Sequence, residues 1–344
     1  MPCFHPVVAH ELNSPYGQPR RFSFKADLSS EHEIRFPCGK CIGCRTDRAR
    51  DWAYRCVMES CTTPPSFFVT LTYDDSEVPL SIVAPSFIPA SPEYECVEFS
   101  QERVRIVPVP VPVDGPKFHY SLRADDMRLF FMQVTKRLGS VRKLYCGEYG
   151  SRTLRPHYHA LLFGLDLNDL KFHSMTDFGD PLYTSESLSR CWYNASTRRI
   201  RGNVLIGKAT PASMAYTAGY TLKKLGSRSR DYKMLGIEPE FIRMSRRPGI
   251  GLDFFSQHQD LVRGGVMYIP TPDGSVSIRC PRAFRRIFSD SDPTSALWYS
   301  MERQRSILFT DQVTSSLTDL DPYAILAIKE MAFESRHAAS KNTL

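Results

Sequence analysis

The chain has 344 residues, 42% hydrophobic and 24% charged, with a net charge of +7; that is enough to bury one larger core or two modest ones, and it excludes a disordered or fibrous class. No stretch approaches the roughly eighteen consecutive apolar residues of a membrane helix. The opening MPCFHPVVAHELN has polar residues where an export signal needs an apolar run, so a cytoplasmic protein with no membrane partner is expected. Charge is unevenly spread. Residues 290–344 hold 8 acids against 5 bases, which leaves 39 bases against 29 acids in residues 1–289, a basic excess that favours a polyanionic partner such as nucleic acid.

The first 64 residues read as a Cys-rich segment followed by a helix. Cys38, Cys41 and Cys44 have C-x-x-C-x-x-C spacing, which suits three thiolate ligands of a structural zinc ion on one tight loop. A fourth ligand is required, and Cys3, His5, Cys56 and Cys61 are the candidates. Without an export signal, the ten cysteines are expected as thiols rather than disulfides.

Residues 65–235 read as the core. Phe67–Tyr73 (FFVTLTY) is β-branched and aromatic, a strand. A proline-rich stretch over residues 79–116 removes ladder donors and reads as an extended insertion. Leu122–Leu138 places Met127, Phe130, Phe131, Val134 and Leu138 on one helical stripe that stops at Gly139. Two strands around residues 143–150 and 157–164 are joined by the polar loop SRTLRP. A helix over Ser185–Tyr193 and a strand over Asn203–Lys208 follow, and Thr210 with Pro211 opens a further helix as cap and first residue. Strand, helix, strand, strand, helix, strand is the split βαβ order, so the expected class is α+β: a ferredoxin-like antiparallel sheet with helices on one face and the other face free for a ligand. Residues 236–344 read as a C-terminal extension.

His157 and His159 are one residue apart in a strand, so both imidazoles project from the same face and form a ready chelate. Glu148, on the neighbouring strand, is the candidate third ligand. In PASMAYTAGYTLKKL, Tyr216 and Tyr220 are four residues apart on one helical face, with Lys223 and Lys224 in the next turn. A phenol with a pKa near 10 is a poor nucleophile unless a metal polarises the target phosphate and a cation eases loss of the proton. Arg152 and Arg155 immediately precede the histidines and are the candidate phosphate contacts, whereas the clusters Arg45, Arg48, Arg50, Arg55 and Arg198, Arg199, Arg201 read as solvated faces. Gly202–Ala209 (GNVLIGKA) imitates a phosphate loop, but Ala209 stands where a magnesium-binding hydroxyl belongs and NVLI reads as strand, so nucleotide hydrolysis is set aside. SRRPGIG (Ser245–Gly251) reads as a turn carrying DNA-contacting arginines.

FVTLTYDD, PHYHALLFG and AYTAGYTLKK resemble, in order, the three motifs of HUH endonucleases, which initiate rolling-circle replication. PCGKCIGCR, CGEYGSRTLRPHYHA and SRRPGIG are more specifically similar to the replication initiators of gokushovirus-type microviruses, over roughly residues 1–290. The resemblance implies that His157, His159 and Glu148 bind Mg²⁺ or Mn²⁺. Tyr220 then matches the nucleophile, Lys223 the lysine three residues on, and Tyr216 the second tyrosine of phage-type initiators. Tyr158 separates the histidines where the family often has a smaller hydrophobic residue. Single-stranded viral DNA and the replicative-form origin are the implied substrates, in the host bacterial cytoplasm beside a host helicase and polymerase. A plasmid relaxase with the same chemistry, and a zinc-containing DNA-binding protein without catalysis, are the alternative readings.

Overall fold

The computed structural model describes residues 3–12, 21–25, 33–83, 117–150, 153–223, 232, 236–259, 266–271 and 274–342. The fold is α+β with antiparallel sheets, and the chain divides into two compact units. The first joins Met1–Pro64, Thr210–Leu225 and Ser245–Leu344; the second joins Pro65–Ala209 and Gly226–Met244.

In the first unit β1 (Val7–Leu12) lies between β2 (Arg21–Ser23) and β3 (Glu33–Phe36). The cysteine loop follows and runs into α1 (Ile42–Thr62), whose N-cap is Cys41; its sulfur accepts the Cys44 N–H. Ala49, Ala53, Cys56 and Val57 recur at helical spacing and are buried, and the helix stops before Pro64 and Pro65, which lack donors to continue it. Arg55 is not the solvated residue that its sequence cluster suggests. It is buried, its Nε donates to the Ile250 carbonyl at 2.9 Å, and its guanidinium lies 4.0 Å over the Trp52 ring.

The second unit is built on β4 (Ser66–Thr72), β7 (Arg142–Tyr149), β8 (Pro156–Phe163) and β13 (Val204–Lys208), each within about a residue of the strand foreseen there. Between β4 and β7, β5 (Leu80–Val83) and β6 (Lys117–Tyr120) pair as a ribbon and α2 (Ala124–Leu138) follows. Residues 84–116 of the proline-rich insertion lie outside the described residues. β9 (Lys171–Met175) and β10 (Pro181–Thr184) form a hairpin on a Gly179 turn, and β14 (Phe241–Met244) adds to the other edge. The seven-stranded order is β14-β7-β8-β4-β13-β10-β9, antiparallel throughout. Thus Phe241–Met244, assigned by sequence to the C-terminal extension, is a strand of this sheet.

Met127, Phe130, Phe131 and Val134 of α2 are buried against Tyr158, Ala160 and Leu162 of β8, so the stripe read from the sequence is the core face. Each such side chain contributes about 1.5–3 kcal/mol. The helix expected over Ser185–Tyr193 is a single turn, α3 (Glu186–Ser189). Trp192 ends it: the indole is fully buried, its Nε1 donates to the Thr72 carbonyl at 2.9 Å, and the chain turns there into the ribbon of β11 (Tyr193–Asn194) and β12 (Arg199–Ile200). Arg201, read as solvated, is instead buried in a two-bond pair with Asp126 at 3.0 and 3.1 Å. A planar fork matched to a carboxylate makes that burial tolerable.

The first unit resumes with α4 (Pro211–Lys223), capped as foreseen by Thr210, whose Oγ1 accepts the Ser213 N–H, and packed on α1. The glycine half of SRRPGIG is structural. Gly251 has φ +75°, its N–H donates to Glu59 at 2.6 Å, and a Cβ there would sit 2.8 Å from the Arg55 carbonyl. Arg246 and Arg247 of the same motif are exposed. Then come α5 (Leu252–Gln257), the hairpin of β15 (Val266–Thr271) and β16 (Gly274–Arg279), α6 (Arg282–Ser291), α7 (Pro293–Ser316) and α8 (Pro322–Asn342). Among the described residues no helix is long and apolar enough to cross a membrane.

Candidate functional site

Register puts the chelating side chains together. On β8, His157 is paired with Glu148 of β7 and Thr72 of β4, and His159 with Cys146 and Thr70. Period-2 alternation therefore turns both imidazoles, Glu148 and Thr70 to the face opposite α2. His157 Nε2 lies 2.7 Å and His159 Nε2 3.2 Å from the same Glu148 oxygen, and all three ligand atoms lie within 4.8 Å of one another. Cis donors around an ion with bonds of about 2.1 Å are separated by about 3.0 Å, and the two Nε2–Glu148 separations fall on either side of that value.

The hydrogen bonds test the fit further. His157 Nδ1 is 3.2 Å from the Arg155 carbonyl, which only accepts, so that nitrogen carries the proton and Nε2 carries the lone pair in the neutral ring. A lone pair facing a carboxylate oxygen at 2.7 Å is repulsive unless a cation or a second proton lies between them. His159 Nδ1 is held by Thr70 Oγ1 at 3.1 Å, and Phe68 stacks on the ring at 5.4 Å between centroids. Outer partners of this kind fix tautomer and ring angle in metal sites. Glu148 and His159 are buried and His157 is partly exposed, so one side of the group is open to solvent. Phe68 and Thr70 were not singled out from the sequence; the alternation of FFVTLT gives their face, but only the strand register gives their neighbour.

At the rim, Arg155 pairs with Asp75 and donates to the Tyr73 carbonyl at 2.6 Å, so part of its guanidinium is engaged within the protein. Arg152 lies outside the described residues. Tyr158, between the two histidines, points into the α2 side. It is fully buried, and its hydroxyl meets Tyr73 Oη at 2.9 Å and the Arg123 N–H at 2.9 Å. Gly147 makes room for it, since a Cβ there would lie 3.0 Å from the Tyr158 ring and 2.9 Å from Phe241. Replacing Tyr158 by Phe strands the Arg123 N–H, and urea unfolding should show a loss of about 1–3 kcal/mol with the Glu148–His157–His159 arrangement retained.

Burial pushes the phenols of Tyr73 and Tyr158 far above the ordinary tyrosine value, and it pushes Tyr149 up to about 12. These remain protonated and structural. Tyr216 contrasts with them: it projects from α4 with 53% of its surface exposed, while Met214, Thr217 and Ala218 form the buried face of that helix. Tyr220 and Lys223 lie on the same helix, but their side chains, and Lys224 altogether, are outside the described residues. α4 belongs to the first unit and the histidines to the second.

The first unit holds a second ligand cluster. Cys3, Cys38, Cys41 and Cys44 bring their sulfurs within 4.8 Å of one another, and all are reduced. Of the candidates for the fourth position, Cys3 is the one at hand; His5 pairs with Glu330 at 2.6 Å, Cys56 is buried along α1 and Cys61 is exposed near its end. Backbone N–H groups point at the sulfurs: Cys38 at Cys3 (3.1 Å), Cys41 and Lys40 at Cys38 (3.3 and 3.4 Å), Phe4 at Cys41 (3.4 Å). Desolvation raises the Cys38 thiol, but the Cys41 and Lys40 N–H groups, together with the Cys3 and Cys41 side chains, outweigh it and bring it down to about 6.

No family model matches the chain, and no solved structure matches it. Three curated proteins do. The replication-associated protein ORF2 of Spiroplasma virus 4 is 30% identical over 337 residues, 93% of this chain and 92% of that protein. Protein VP4 of Bdellovibrio phage phiMH2K, also replication-associated, is 28% identical over 84% of this chain and 78% of its own length. For the replication-associated protein ORF4 of Chlamydia phage 1 the identity is 24%, over 67% of this chain and 49% of that protein. With similarity of this extent along nearly its whole length, the chain belongs to the family of microvirus replication-associated proteins.

Proposed function

We propose that the protein is a HUH-type endonuclease and strand transferase that starts rolling-circle replication by nicking single-stranded origin DNA with a tyrosine of α4. The observation that carries the reading is the convergence of two imidazole Nε2 atoms on one Glu148 oxygen, with each Nδ1 already engaged. The order β7-β8-β4-β13, with α2 on one face, supports it as the strand order of a ferredoxin-like, split βαβ core. The replication-associated relatives support the biological setting.

In this reading His157, His159 and Glu148 would hold Mg²⁺ or Mn²⁺, and the ion would supply positive charge that polarises the scissile phosphate. The oxygen of Tyr220 or Tyr216 forms a bond to phosphorus as its proton leaves, with Lys223 on the next turn favouring the phenolate. The bond from phosphorus to the 3′ oxygen breaks, and that oxygen takes a proton to become the 3′-hydroxyl that primes a host polymerase. The 5′-phosphotyrosine conserves the phosphodiester energy, so a second transfer closes the displaced strand without nucleotide hydrolysis. Two tyrosines let one attack the regenerated origin while the other still holds DNA. Arg152, Arg155 and Lys224 serve as phosphate contacts, and a host helicase opens the duplex.

Incubating full-length protein with single-stranded fragments of its cognate genome and Mn²⁺ tests this. Wild type should yield a covalent protein–DNA band, and the double variant Tyr216→Phe/Tyr220→Phe should reduce it by at least about a thousandfold while DNA binding persists. Binding without any adduct from wild type, on any strand of the genome, would instead favour a non-enzymatic DNA-binding protein.

A further inference from the structure

We infer that Cys3, Cys38, Cys41 and Cys44 form a mononuclear zinc site whose task is to fasten α8 to the N-terminal segment. The dimensions fit a tetrahedral tetrathiolate ion. Zinc–sulfur bonds of about 2.3 Å place tetrahedral thiolates about 3.8 Å apart; Cys3 and Cys41 Sγ are 3.9 Å apart, and the whole set lies within 4.8 Å. All four cysteines are free thiols, and none is joined in a disulfide. A cubane iron–sulfur cluster interposes iron and sulfide between its cysteines and needs a wider cage.

The donor set suits a dication. Four reduced thiols in one half-buried knot repel one another once ionised, and the backbone N–H groups aimed at the sulfurs lessen that charge without removing it. Zinc neutralises it, and the energy of binding becomes energy of folding for the loop that carries the ligands. β1 and β3 deliver the ligands: their pairing of Val7 with Phe36 brings the chain just before β1 alongside the chain just after β3, which is where Cys3 and Cys38 stand.

What the knot supports is visible beside it. Phe4, buried next to Cys3, packs on Phe333 of α8 at 5.8 Å between ring centroids, and His5 is paired with Glu330 one turn earlier on that helix. Without the metal, Cys3 has no covalent reason to stay at Cys38, and two of the residues that hold α8, Phe4 and His5, follow it, while Arg35 of β3, 5.8 Å over the Tyr323 ring, continues to hold the start of that helix. The zinc site thus strengthens the docking of the Glu330–Phe333 stretch of the C-terminal helix, apart from the Glu148–His157–His159 chemistry.

Metal analysis of the full-length protein, purified without added zinc, should give one zinc per chain, and Cys38→Ser should lose it. If that variant does not fold, a mercurial titration of wild type substitutes for it: zinc should be released in step with the blocking of four of the ten cysteines. Hydrogen exchange before and after release should show α8 losing protection while α2 keeps its own. A protein with no zinc, with iron in its place, or with zinc that survives Cys38→Ser overturns the site; unchanged exchange in α8 on zinc release overturns the fastening role. Neither outcome bears on nicking, which is read separately by adduct formation.

Discussion

Substituting His159 by Ala should lower metal-dependent cleavage of origin DNA by at least about a thousandfold, with the fold intact. His159 is the buried member of the pair, oriented by Thr70 at 3.1 Å and by the stacked Phe68 ring. Glu148→Gln keeps the shape but removes the charge on which both imidazoles converge, so divalent-metal affinity should fall more than about a hundredfold. Thr70→Val is the finer test. It leaves the ligands and removes only the hydroxyl that fixes the ring, and a drop of about 10- to 100-fold in metal affinity is expected. Cleavage of labelled single-stranded origin DNA reads the first, and titration calorimetry with Mn²⁺ on folded variants reads the other two; wild-type affinity in Glu148→Gln would remove this trio as the metal centre.

Gly202→Ala should unfold the second unit or cost at least about 3 kcal/mol. Gly202 has φ +153° and sits between two backbone bonds to the end of β4, Thr72 N–H to the Asn203 carbonyl at 3.0 Å and Asp74 N–H to the Arg201 carbonyl at 2.8 Å. A Cβ there would meet the Thr72 carbonyl oxygen at 2.3 Å and the Asp74 nitrogen at 2.7 Å, both backbone atoms that cannot swing away. The same carbonyl receives the Trp192 indole, and Thr72 is in register with His157. Tryptophan fluorescence during urea unfolding is therefore a direct probe, and an unchanged midpoint would contradict the close approach. The first glycine of the apparent phosphate loop is thus required by strand packing, with β13 filling the interior of the motif.

Much of this was legible in the residues. The α2 stripe, the strands carrying FFVTLT and HYHALLF, and the Thr210–Pro211 helix start follow from local periodicity and capping, which need no knowledge of distant partners. What local pattern leaves open is register and long-range pairing. Arg55 and Arg201 read as solvated because their partners, the Ile250 carbonyl and Asp126, are 195 and 75 residues away. The β9–β10 hairpin has only the Thr176–Asp180 turn as a signal, and β14 is a four-residue edge strand in a stretch with little alternation. The helix expected to Tyr193 ends early because the core claims Trp192. Cys3 is at hand for the fourth thiolate position because β1 and β3 pair, which the cysteine spacing alone does not reveal.

Mass spectrometry of the DNA-linked peptide, after incubation of the full-length protein with single-stranded origin DNA and Mn²⁺, joins the two halves of the account in one measurement. The nucleotide should be found on Tyr216 or Tyr220, only with divalent metal present, and not in His157→Ala. A nucleotide on any tyrosine outside α4, or an equal yield in the presence of a chelator, would contradict it.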